Sequence, residues 1–337
     1  MAERTAEFGC AALPTADPSE LVDLAELAAR CGYDRFWVPD QTFLGDPFLL
    51  LQRIAERTDL DLGIALTNPF SRHPMQIARS MATLIALDPL PGRRWALGIG
   101  KGNSNLVLGP LGIAGDAGVR RLGAAVSLIR ALLRGETVGP DETGFFTEPV
   151  TLETRHVDCE VFIGTRGPVT LERVAPLADG VITESLFRPE LVRRVRELLP
   201  DDGRSRPHVA WQSVVVLDEA DPIPEPMRDF AALLMRTTAP AVLEALEVDP
   251  TQRERIANRT LRTADVSDDD VRRFVAIGTP AELRLVVTAA LEAGATSWSS
   301  IFVGDLSALR RGIERFAVDV MAPIRAMRSD LTGREHL

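Results

Sequence analysis

The chain has 337 residues and a mass of 36.7 kDa, which fits one large α/β barrel or two medium domains and exceeds a small module. Apolar residues make up 45% and charged residues 26% of the sequence, as in a soluble globular protein with a sizeable core. The net charge of −10 argues against nucleic-acid proteins and proteins of anionic membranes, because both need an excess of basic residues.

Lysine is nearly absent from the chain. Of the 38 basic residues only Lys101 is a lysine, and all the others are arginines. A compositional bias of the genome is the simplest explanation of so many arginines. A single lysine that persists under this bias nevertheless raises the question of a function for Lys101.

The three cysteines, Cys10, Cys31 and Cys159, are far apart and form no C-x-x-C pair. Their number is odd and no metal-ligand cluster surrounds them, which predicts reduced core thiols of a cytoplasmic protein and no metal site. The N-terminal segment MAERTAEFG lacks an apolar h-region, and the chain has no run of 18 apolar residues. Secretion and membrane spanning are therefore not expected.

Short β-type runs alternate with helical stretches along the chain. The sequence DPSE at 17–20 indicates the first helix start, with an N-cap aspartate followed by proline, and Gly32 is placed to end that helix. Strands are predicted at 7–13, 35–39, 60–67, 95–100, 160–164, 180–184, 208–217 and 297–303. Further helices are predicted at 47–57, 74–86, 119–134, 168–177, 189–199, 280–293 and 306–316.

Two stretches interrupt this alternation. Residues 135–158 are polar and contain glycine and proline, which predicts a loop or hairpin excursion. Residues 218–277 carry extra helical segments, including 228–235 and 271–276. Eight β–α pairs with two insertions predict a single α/β domain, a (β/α)8 TIM barrel. A doubly wound sheet is the alternative, although the first βα junction lacks the G-x-G-x-x-G turn of dinucleotide-binding folds.

In a barrel, functional residues lie at the C-terminal ends of the strands. Two of these ends are rich in glycine, at 100–102 and 164–168. Glycines there allow the backbone to approach a ligand, and GTRGP adds an arginine and a helix start suited to phosphate; tight turns are the other explanation. The ionisable groups at these ends include Asp40, Lys101 and the more distant Glu184. Asp40 is equally consistent with a structural role, in which its side chain caps the following turn.

Four motifs occur together in one order and spacing. They are TNPFSRHP at 67–74, GIGKGNS at 98–104, GTRGP at 164–168 and ADGVI at 178–182. With these motifs the chain resembles the luciferase-like monooxygenase superfamily. Within it the chain looks most like the branch that uses the deazaflavin coenzyme F420, the methylenetetrahydromethanopterin-reductase-like proteins. WVPDQ at 37–41 fits the same pattern, and the resemblance covers nearly the whole chain.

This resemblance implies a (β/α)8 barrel that binds a flavin or deazaflavin at the strand C-termini. It also implies a non-prolyl cis peptide bond between Ala65 and Leu66, with Thr67 and Asn68 flanking the ring. The residues that it implies for cofactor binding are Asp40, Ala65, Leu66, Thr67, Asn68, Gly100, Lys101, Gly102, Asn103, Gly164, Thr165, Arg166, Gly167, Pro168, Gly180 and Val181. The candidate catalytic residues are Asp40, Lys101 and Asn103.

The chain departs from the family pattern at two positions. Branch members often have Asp-His where this chain has Asp40-Gln41, and G-D-S where it has Gly102, Asn103 and Ser104. Glutamine cannot act as an acid or base, and asparagine offers only hydrogen bonds. Either proton transfer has moved to another group, or the reaction differs from the better-known ones of the family.

The leading hypothesis is an F420-dependent oxidoreductase that exchanges hydride between the deazaflavin and an organic substrate, with reduction of a C=C or C=N bond as the expected direction. The alternatives are an FMN-dependent monooxygenase and a catalytically silent flavin-binding protein. The expected partners are a small-molecule or natural-product substrate and further copies of the chain, as a homodimer or homotetramer by analogy. His73 is expected to organise a helix start, the four tryptophans to pack in the core, and the terminal SDLTGREHL to fray.

Overall fold

The structure is a computed structural model that describes residues 6–13, 17–102, 107–113, 118–203, 206–218 and 222–334. The candidate residue Asn103, with Ser104, lies outside these ranges. The chain divides into two compact units. The N-terminal unit consists of the described residues in Cys10–Ile182 and Leu198–His208, and the C-terminal unit of those in Thr183–Glu197 and Val209–Leu337 together with the start of the first strand.

The first strand and the N-terminal unit alternate strands with helices. The elements are β1 (Glu7–Ala11), α1 (Pro18–Arg30), β2 (Arg35–Val38), α2 (Pro47–Ala55), β3 (Asp61–Thr67), α3 (Pro74–Ala86), β4 (Trp95–Ile99), α4 (Val119–Leu133), β5 (Glu160–Gly164) and α5 (Pro168–Val174), which continues as a 3-10 turn (Ala175–Leu177). The sixth strand, β6 (Gly180–Glu184), follows. These bounds agree with the sequence prediction to within about two residues, apart from the shorter α5.

The C-terminal unit contains more helices than the predicted pattern. Its elements are α6 (Pro189–Glu197), β7 (His208–Val216), α7 (Glu225–Thr237), α8 (Pro240–Ala245), α9 (Pro250–Ala257), α10 (Asp268–Phe274), β8 (Ala276–Gly278), α11 (Pro280–Glu292), β9 (Ser297–Ile301), α12 (Leu306–Phe316) and α13 (Ala322–Arg334). A π-helical turn, Ala317–Met321, joins α12 to α13.

The strands are hydrogen-bonded neighbours in the order β6-β5-β4-β3-β2-β1-β9-β7-β8, and β6 also pairs with β7. The pairings from β2 through β6 are parallel, as are those of β7 with β8 and β9. Parallel strands joined through helices, with a pairing that returns to β6, are the pattern of a (β/α)8 barrel. The predicted fold class is therefore confirmed.

The helix starts follow from local capping. Asp17 accepts the Ser19 N–H at 2.8 Å at the start of α1, as predicted, and Gly32 after that helix has a positive φ of 80°. Asp46 accepts the Phe48 N–H at 2.9 Å at the start of α2. In both helices a proline occupies the first turn, where its missing N–H costs no hydrogen bond.

One local prediction was wrong. Residues 271–276 were assigned to a helix, but the helix ends at Phe274 and the chain continues as β8, which pairs with the late part of β7. The expected fraying of residues 329–337 stays a prediction, because α13 extends to Arg334 and residues 335–337 lie outside the described ranges. By contrast, the excursion at 135–158 is confirmed as a hairpin-like segment, because Val138 and Val150 form an isolated antiparallel bridge.

The core is apolar in both units, as the composition predicts. Trp37, Trp95, Trp211 and Trp298 are all buried, which confirms their assignment to the core. The ring of Trp37 meets that of Phe162 edge-on at 6.1 Å in the N-terminal unit. Among the helices within the described ranges, none has both the length and the apolar character needed to cross a membrane.

Candidate functional site

The end of β3 carries the first part of the candidate site. The peptide bond between Ala65 and Leu66 is cis, so this expectation from the resemblance is confirmed. Thr67 and Asn68 follow, and both are buried. The Gly100 N–H donates to the Thr67 carbonyl at 2.9 Å, which joins the ends of β3 and β4. The candidate residues of these two strands therefore lie at one edge of the sheet.

The Leu66 side chain lies against glycines of the next two strands. A Cβ added at Gly164 would lie 2.1 Å from Leu66 Cδ1, and one at Gly98 would lie 2.8 Å from Leu66 Cδ2. At Gly100 the corresponding distance is 3.0 Å. Real Cβ atoms do not approach other atoms as closely as they would at Gly98 and Gly164, so these two glycines leave the space that the Leu66 side chain occupies in this conformation. The sequence predicts that strand-end glycines let the backbone approach a ligand; within the described residues, the group closest to a Cβ at Gly164 is the Leu66 side chain.

Asp40 follows β2 and is almost fully buried, with a side chain that is 4% exposed. Its Oδ2 accepts a 2.7 Å hydrogen bond from the Thr67 hydroxyl and a 2.8 Å bond from Arg72 Nε. Its Oδ1 lies 3.4 Å from Nη2 of the same arginine. Asp40 is therefore bound to β3 and to the loop after β3, and among the described residues its side chain makes no capping bond to its own turn.

Arg72 connects two acidic residues. Besides Asp40, its guanidinium binds Asp46 Oδ2 at 2.8 Å, and its Cζ lies 5.2 Å from the centre of the Phe48 ring. Burial alone would lower the pKa of Arg72, but the hydrogen bonds and charges of the two carboxylates raise that pKa above its ordinary value. The guanidinium is thus firmly cationic within this cluster.

Asn68 organises the loop that carries Arg72. Its Oδ1 accepts the N–H groups of Phe70 at 3.1 Å and Ser71 at 2.8 Å. A Cβ at Gly102, whose φ is +75°, would lie 3.1 Å from Asn68 Cγ. The Asn68 side chain therefore contacts the loop after β4 while it fixes the loop after β3.

Lys101 and Gln41, the residue at which the chain departs from the family pattern, are both exposed but differ in chemistry. Lys101 is exposed and directly follows the buried Gly100 at the end of β4. Gln41 is also exposed, and its carbonyl accepts the Leu44 N–H at 2.7 Å in a turn. Lys101 therefore adds an exposed ionisable group after β4, whereas Gln41 adds an exposed amide after β2.

The end of β5 leads into a compact turn. The Thr165 hydroxyl accepts the Gly167 N–H at 3.0 Å, and the Thr165 N–H donates to the Ile182 carbonyl at 3.0 Å. Arg166 is half-buried in this turn, and Pro168 begins α5. These residues lie beside Gly164, which contacts Leu66, so the turn belongs to the same edge as the β3 and β4 ends.

Gly180 and Val181 lie apart from the other candidates. They begin β6 and are level with Phe162 and Ile163 in the middle of β5, whereas Gly164 is level with Ile182. A Cβ at Gly180 would lie 2.6 Å from both the Phe162 ring and the Pro207 carbonyl. The structure gives this glycine a packing role. Glu184 ends β6 and is half-buried.

His73 joins the start of α3 to the hairpin-like segment. Its Nδ1 accepts the Met75 N–H at 3.2 Å, and its Nε2 lies 2.8 Å from the Phe145 carbonyl. Because Nδ1 accepts a hydrogen bond, Nε2 carries the hydrogen and donates a hydrogen bond to that carbonyl. The Phe146 ring meets the imidazole edge-on at 5.1 Å. The expected role of His73 at the helix start is confirmed.

Sequence reasoning missed Arg72 and Asp46 as members of the site. Both lie in loops that follow strands, and one is a cation between two carboxylates. The available signal was an arginine inside the motif TNPFSRHP at the same barrel edge as Asp40 and Asp46. Which carboxylate the arginine meets depends on the loop conformation that Asn68 sets.

Comparison with known proteins identifies the family. The sequence profile of the luciferase-like monooxygenase family matches residues 5–297. The chain belongs to this family. The recognition made from the four motifs is therefore confirmed.

Several proteins with assigned activities are similar to the chain. A 5,10-methylenetetrahydromethanopterin reductase from Archaeoglobus fulgidus is 27% identical over 307 residues, which cover 86% of this chain and 91% of that protein. An F420-dependent glucose-6-phosphate dehydrogenase from Microbacterium testaceum is 31% identical over 260 residues, which cover 72% of this chain and 76% of that protein. These relatives are oxidoreductases, in agreement with the predicted class of enzyme.

Solved structures share the fold. The coenzyme F420 dependent tetrahydromethanopterin reductase from Methanopyrus kandleri superimposes with a TM-score of 0.79 at 21% identity, over 95% of this chain and 100% of that one. A monooxygenase from Streptomyces bottropensis reaches 0.68 at 20% identity, over 94% and 99%. At these identities the likeness establishes the barrel fold alone.

Proposed function

We propose that the chain is an F420-dependent oxidoreductase that transfers hydride between the deazaflavin and an organic substrate. Reduction of a C=C or C=N bond by the reduced cofactor is the proposed direction. The observation that carries the proposal is the 31% identity, across 72% of the chain, to an F420-dependent dehydrogenase. The substrates of the relatives differ, so the proposal leaves the substrate at the level of a small organic molecule.

The residues at the strand ends fit such a cofactor. Leu66 offers a half-buried apolar surface beside glycines, as a planar ring system requires. Lys101 and Arg166 supply basic groups suited to an anionic cofactor in a chain of net charge −10. When bound, the deazaflavin supplies the carbon that gives or receives hydride. The protein orients the reactants and excludes water.

We assign an acceptor role to Asp40. Its carboxylate accepts hydrogen bonds from Thr67 and Arg72, so it is arranged to receive a further donor. The β3 side of the cofactor site would consist of Ala65, Leu66, Thr67 and Asn68. The other side would consist of Gly100 to Gly102 and Gly164 to Pro168. Lys101 is the proposed charge partner of the cofactor or the proton donor. Asn103 would contribute hydrogen bonds only.

Titration of the purified apoprotein with F420 and with FMN, followed by fluorescence, tests the cofactor assignment. The proposal expects saturable F420 binding and weaker FMN binding. Tight FMN binding without F420 binding would overturn it and favour the second candidate, an FMN-dependent monooxygenase. That candidate draws on the family's name and on the likeness in fold to a solved monooxygenase.

A catalytically silent flavin-binding protein is the remaining alternative, motivated by Gln41 and Asn103. Single-turnover oxidation of protein-bound reduced F420 by a metabolite extract would reject it. A matched reaction without protein is the control. We also propose a homodimer or homotetramer built from a single-domain protomer, by analogy, and light scattering of the purified protein measures this assembly.

A further inference from the structure

We propose that Arg72 is a positioning residue that aims the Asp40 carboxylate, so that Asp40 Oδ1 accepts a hydrogen bond from an N–H or O–H group of the bound cofactor. This inference rests on the proposed function, because it assumes that the strand-end site binds a deazaflavin or flavin. It assigns Arg72 a place in the site that the motif alone did not indicate.

The two oxygens of Asp40 are not equivalent. Oδ2 accepts two short hydrogen bonds, from Thr67 Oγ1 at 2.7 Å and from Arg72 Nε at 2.8 Å. Oδ1 has a single contact of 3.4 Å within the described residues, which is longer than an ordinary N–H···O bond of about 2.7–3.2 Å. A carboxylate oxygen accepts up to about two hydrogen bonds. Oδ1 therefore retains the capacity to accept a ligand donor.

Arg72 determines which of the two Asp40 oxygens can still accept a hydrogen bond from a ligand. Its Nε donates to Asp40 Oδ2, while its Nη2 donates to Asp46 Oδ2 at 2.8 Å. The guanidinium is planar and rigid, so holding two of its nitrogens fixes the plane from which it donates. Asp46 is itself fixed, because its other oxygen caps α2 through the Phe48 N–H at 2.9 Å.

The backbone of Arg72 is held as well. Its N–H donates to the Asn68 carbonyl at 3.3 Å, inside the turn that the Asn68 side chain closes through Phe70 and Ser71. The Arg72 side chain is 27% exposed, whereas that of Asp40 is 4% exposed. Because Arg72 is the more exposed of the two side chains, the alternative to the proposal is that Arg72 contacts the cofactor directly.

A double-mutant cycle in cofactor affinity separates these arrangements. The variants are Asp40→Asn, Arg72→Gln and their combination, each titrated with F420 by fluorescence. We expect each single variant to bind F420 at least tenfold more weakly than wild type. We expect the double variant to match Asp40→Asn within about twofold, because Arg72 acts through Asp40. A hundredfold loss in the double variant, or an unchanged affinity in Arg72→Gln, would overturn the proposal.

Two further variants guard against a change in folding. Asp46→Ser retains an N-cap for α2 but removes the anchor of the guanidinium, and we expect a severalfold loss of F420 affinity. Arg72→Lys retains the charge and should recover part of the affinity that Arg72→Gln loses. The matched control is Arg53→Gln, because Arg53 pairs with Glu56 on the exposed side of α2. Wild-type affinity in Asp46→Ser together with no recovery in Arg72→Lys would reject the positioning role.

The wild-type titration reports on the proposed function by itself. If the wild-type protein binds FMN in place of F420, the same cycle is measured with FMN and the positioning role is judged on that ligand. If it binds neither, both proposals fall. If it binds F420 and the cycle is additive, the function stands and the role of Arg72 falls.

Discussion

The Thr67 hydroxyl donates a 2.7 Å hydrogen bond to Asp40 Oδ2, and this bond joins the last residue of β3 to the segment that follows β2. Both residues are buried: as whole residues, Thr67 is 1% and Asp40 is 9% exposed. A buried carboxylate depends on such donors, because a lost bond is not replaced by water. The contact therefore matters for stability as well as for the orientation of Asp40.

Thr67→Val should lower the free energy of unfolding by about 1–3 kcal/mol, because it removes a donor to a buried charged group without changing the volume of the side chain. Urea unfolding at neutral pH measures this difference. Thr67→Ser keeps the hydroxyl and is the matched control, with a smaller loss expected. Equal stability of the valine and serine variants would contradict the assigned hydrogen bond.

Gly164→Ala should destabilise the protein by about 1–3 kcal/mol, because the new Cβ would lie 2.1 Å from Leu66 Cδ1. Thermal or urea unfolding measures the effect. Gly139→Ala is the matched control, since a Cβ at Gly139 meets nothing within 4 Å. In a Leu66→Ala background the Gly164→Ala change should cost little, and a full cost there would disprove the close contact.

Lys101→Ala should weaken F420 binding or turnover about tenfold, or about 1.4 kcal/mol, if the exposed ammonium pairs with the anionic cofactor. The free energy of unfolding should change by less than about 0.5 kcal/mol, because Lys101 is exposed. Lys101→Arg retains the charge and should remain close to wild type. Unchanged affinity and turnover in the alanine variant would reduce Lys101 to an ordinary surface residue.

His73→Ala should lower stability by about 1 kcal/mol through the lost cap of α3, and should also loosen the hairpin-like segment. Hydrogen exchange at the Val138 and Val150 amides measures the second effect, since these amides form the bridge of that segment. His73→Asn keeps a capping oxygen but cannot reproduce the bond to Phe145. It should therefore recover the cap while leaving the faster exchange.

Stability should depend on Asp141 at acidic pH. Burial alone would raise the pKa of this carboxyl, but hydrogen bonds from Thr143 and from the backbone of Thr143, Phe145 and Phe146 lower it below its ordinary value. Its contribution is therefore complete above the ordinary pKa near 4, and is lost as pH falls through the lower folded-state pKa.

Urea midpoints at pH 7 and pH 3 test this dependence. The difference between wild type and Asp141→Asn should be larger at pH 7 and should shrink at pH 3, which lies below the ordinary pKa, because the unfolded chain there binds the proton more readily than the folded protein does. Glu142→Gln is the matched control, because Glu142 and its partner Arg120 are both exposed. A difference that does not shrink on acidification would contradict the direction of the pKa shift.

Much of the fold was readable from local patterns. Residues 160–164 and 306–316 coincide with β5 and α12. An apolar run that ends in a glycine marks β5, and Asp305 marks the start of α12, where it accepts the Ala308 N–H at 2.8 Å. The cis bond at Ala65–Leu66 was reached through the family resemblance, since no propensity of alanine or leucine indicates it. Periodicity did not establish closure of the sheet, which depends on pairings between strands distant in sequence.

The misses have physical causes. β8 has three residues and directly follows a helix, too short a run for a period of two to be recognised. Arg72 was overlooked because its partners, Asp40 and Asp46, are 32 and 26 residues away and meet it only through the loop geometry. Gly180 and Val181 entered the candidate site through the family resemblance alone, and their place at the start of β6, beside Phe162 and Ile163, leaves that assignment a prediction.

The single lysine has a practical consequence for chemistry on this protein. Amine-selective acylating reagents would encounter one ε-amino group in 337 residues, apart from the α-amino group at the chain start. Lys101 is exposed, so it is open to such reagents. A fluorophore or crosslinker could thus be attached at the end of β4 without engineering a handle. Protection of that one amine by a ligand would then serve as a direct footprint of occupancy.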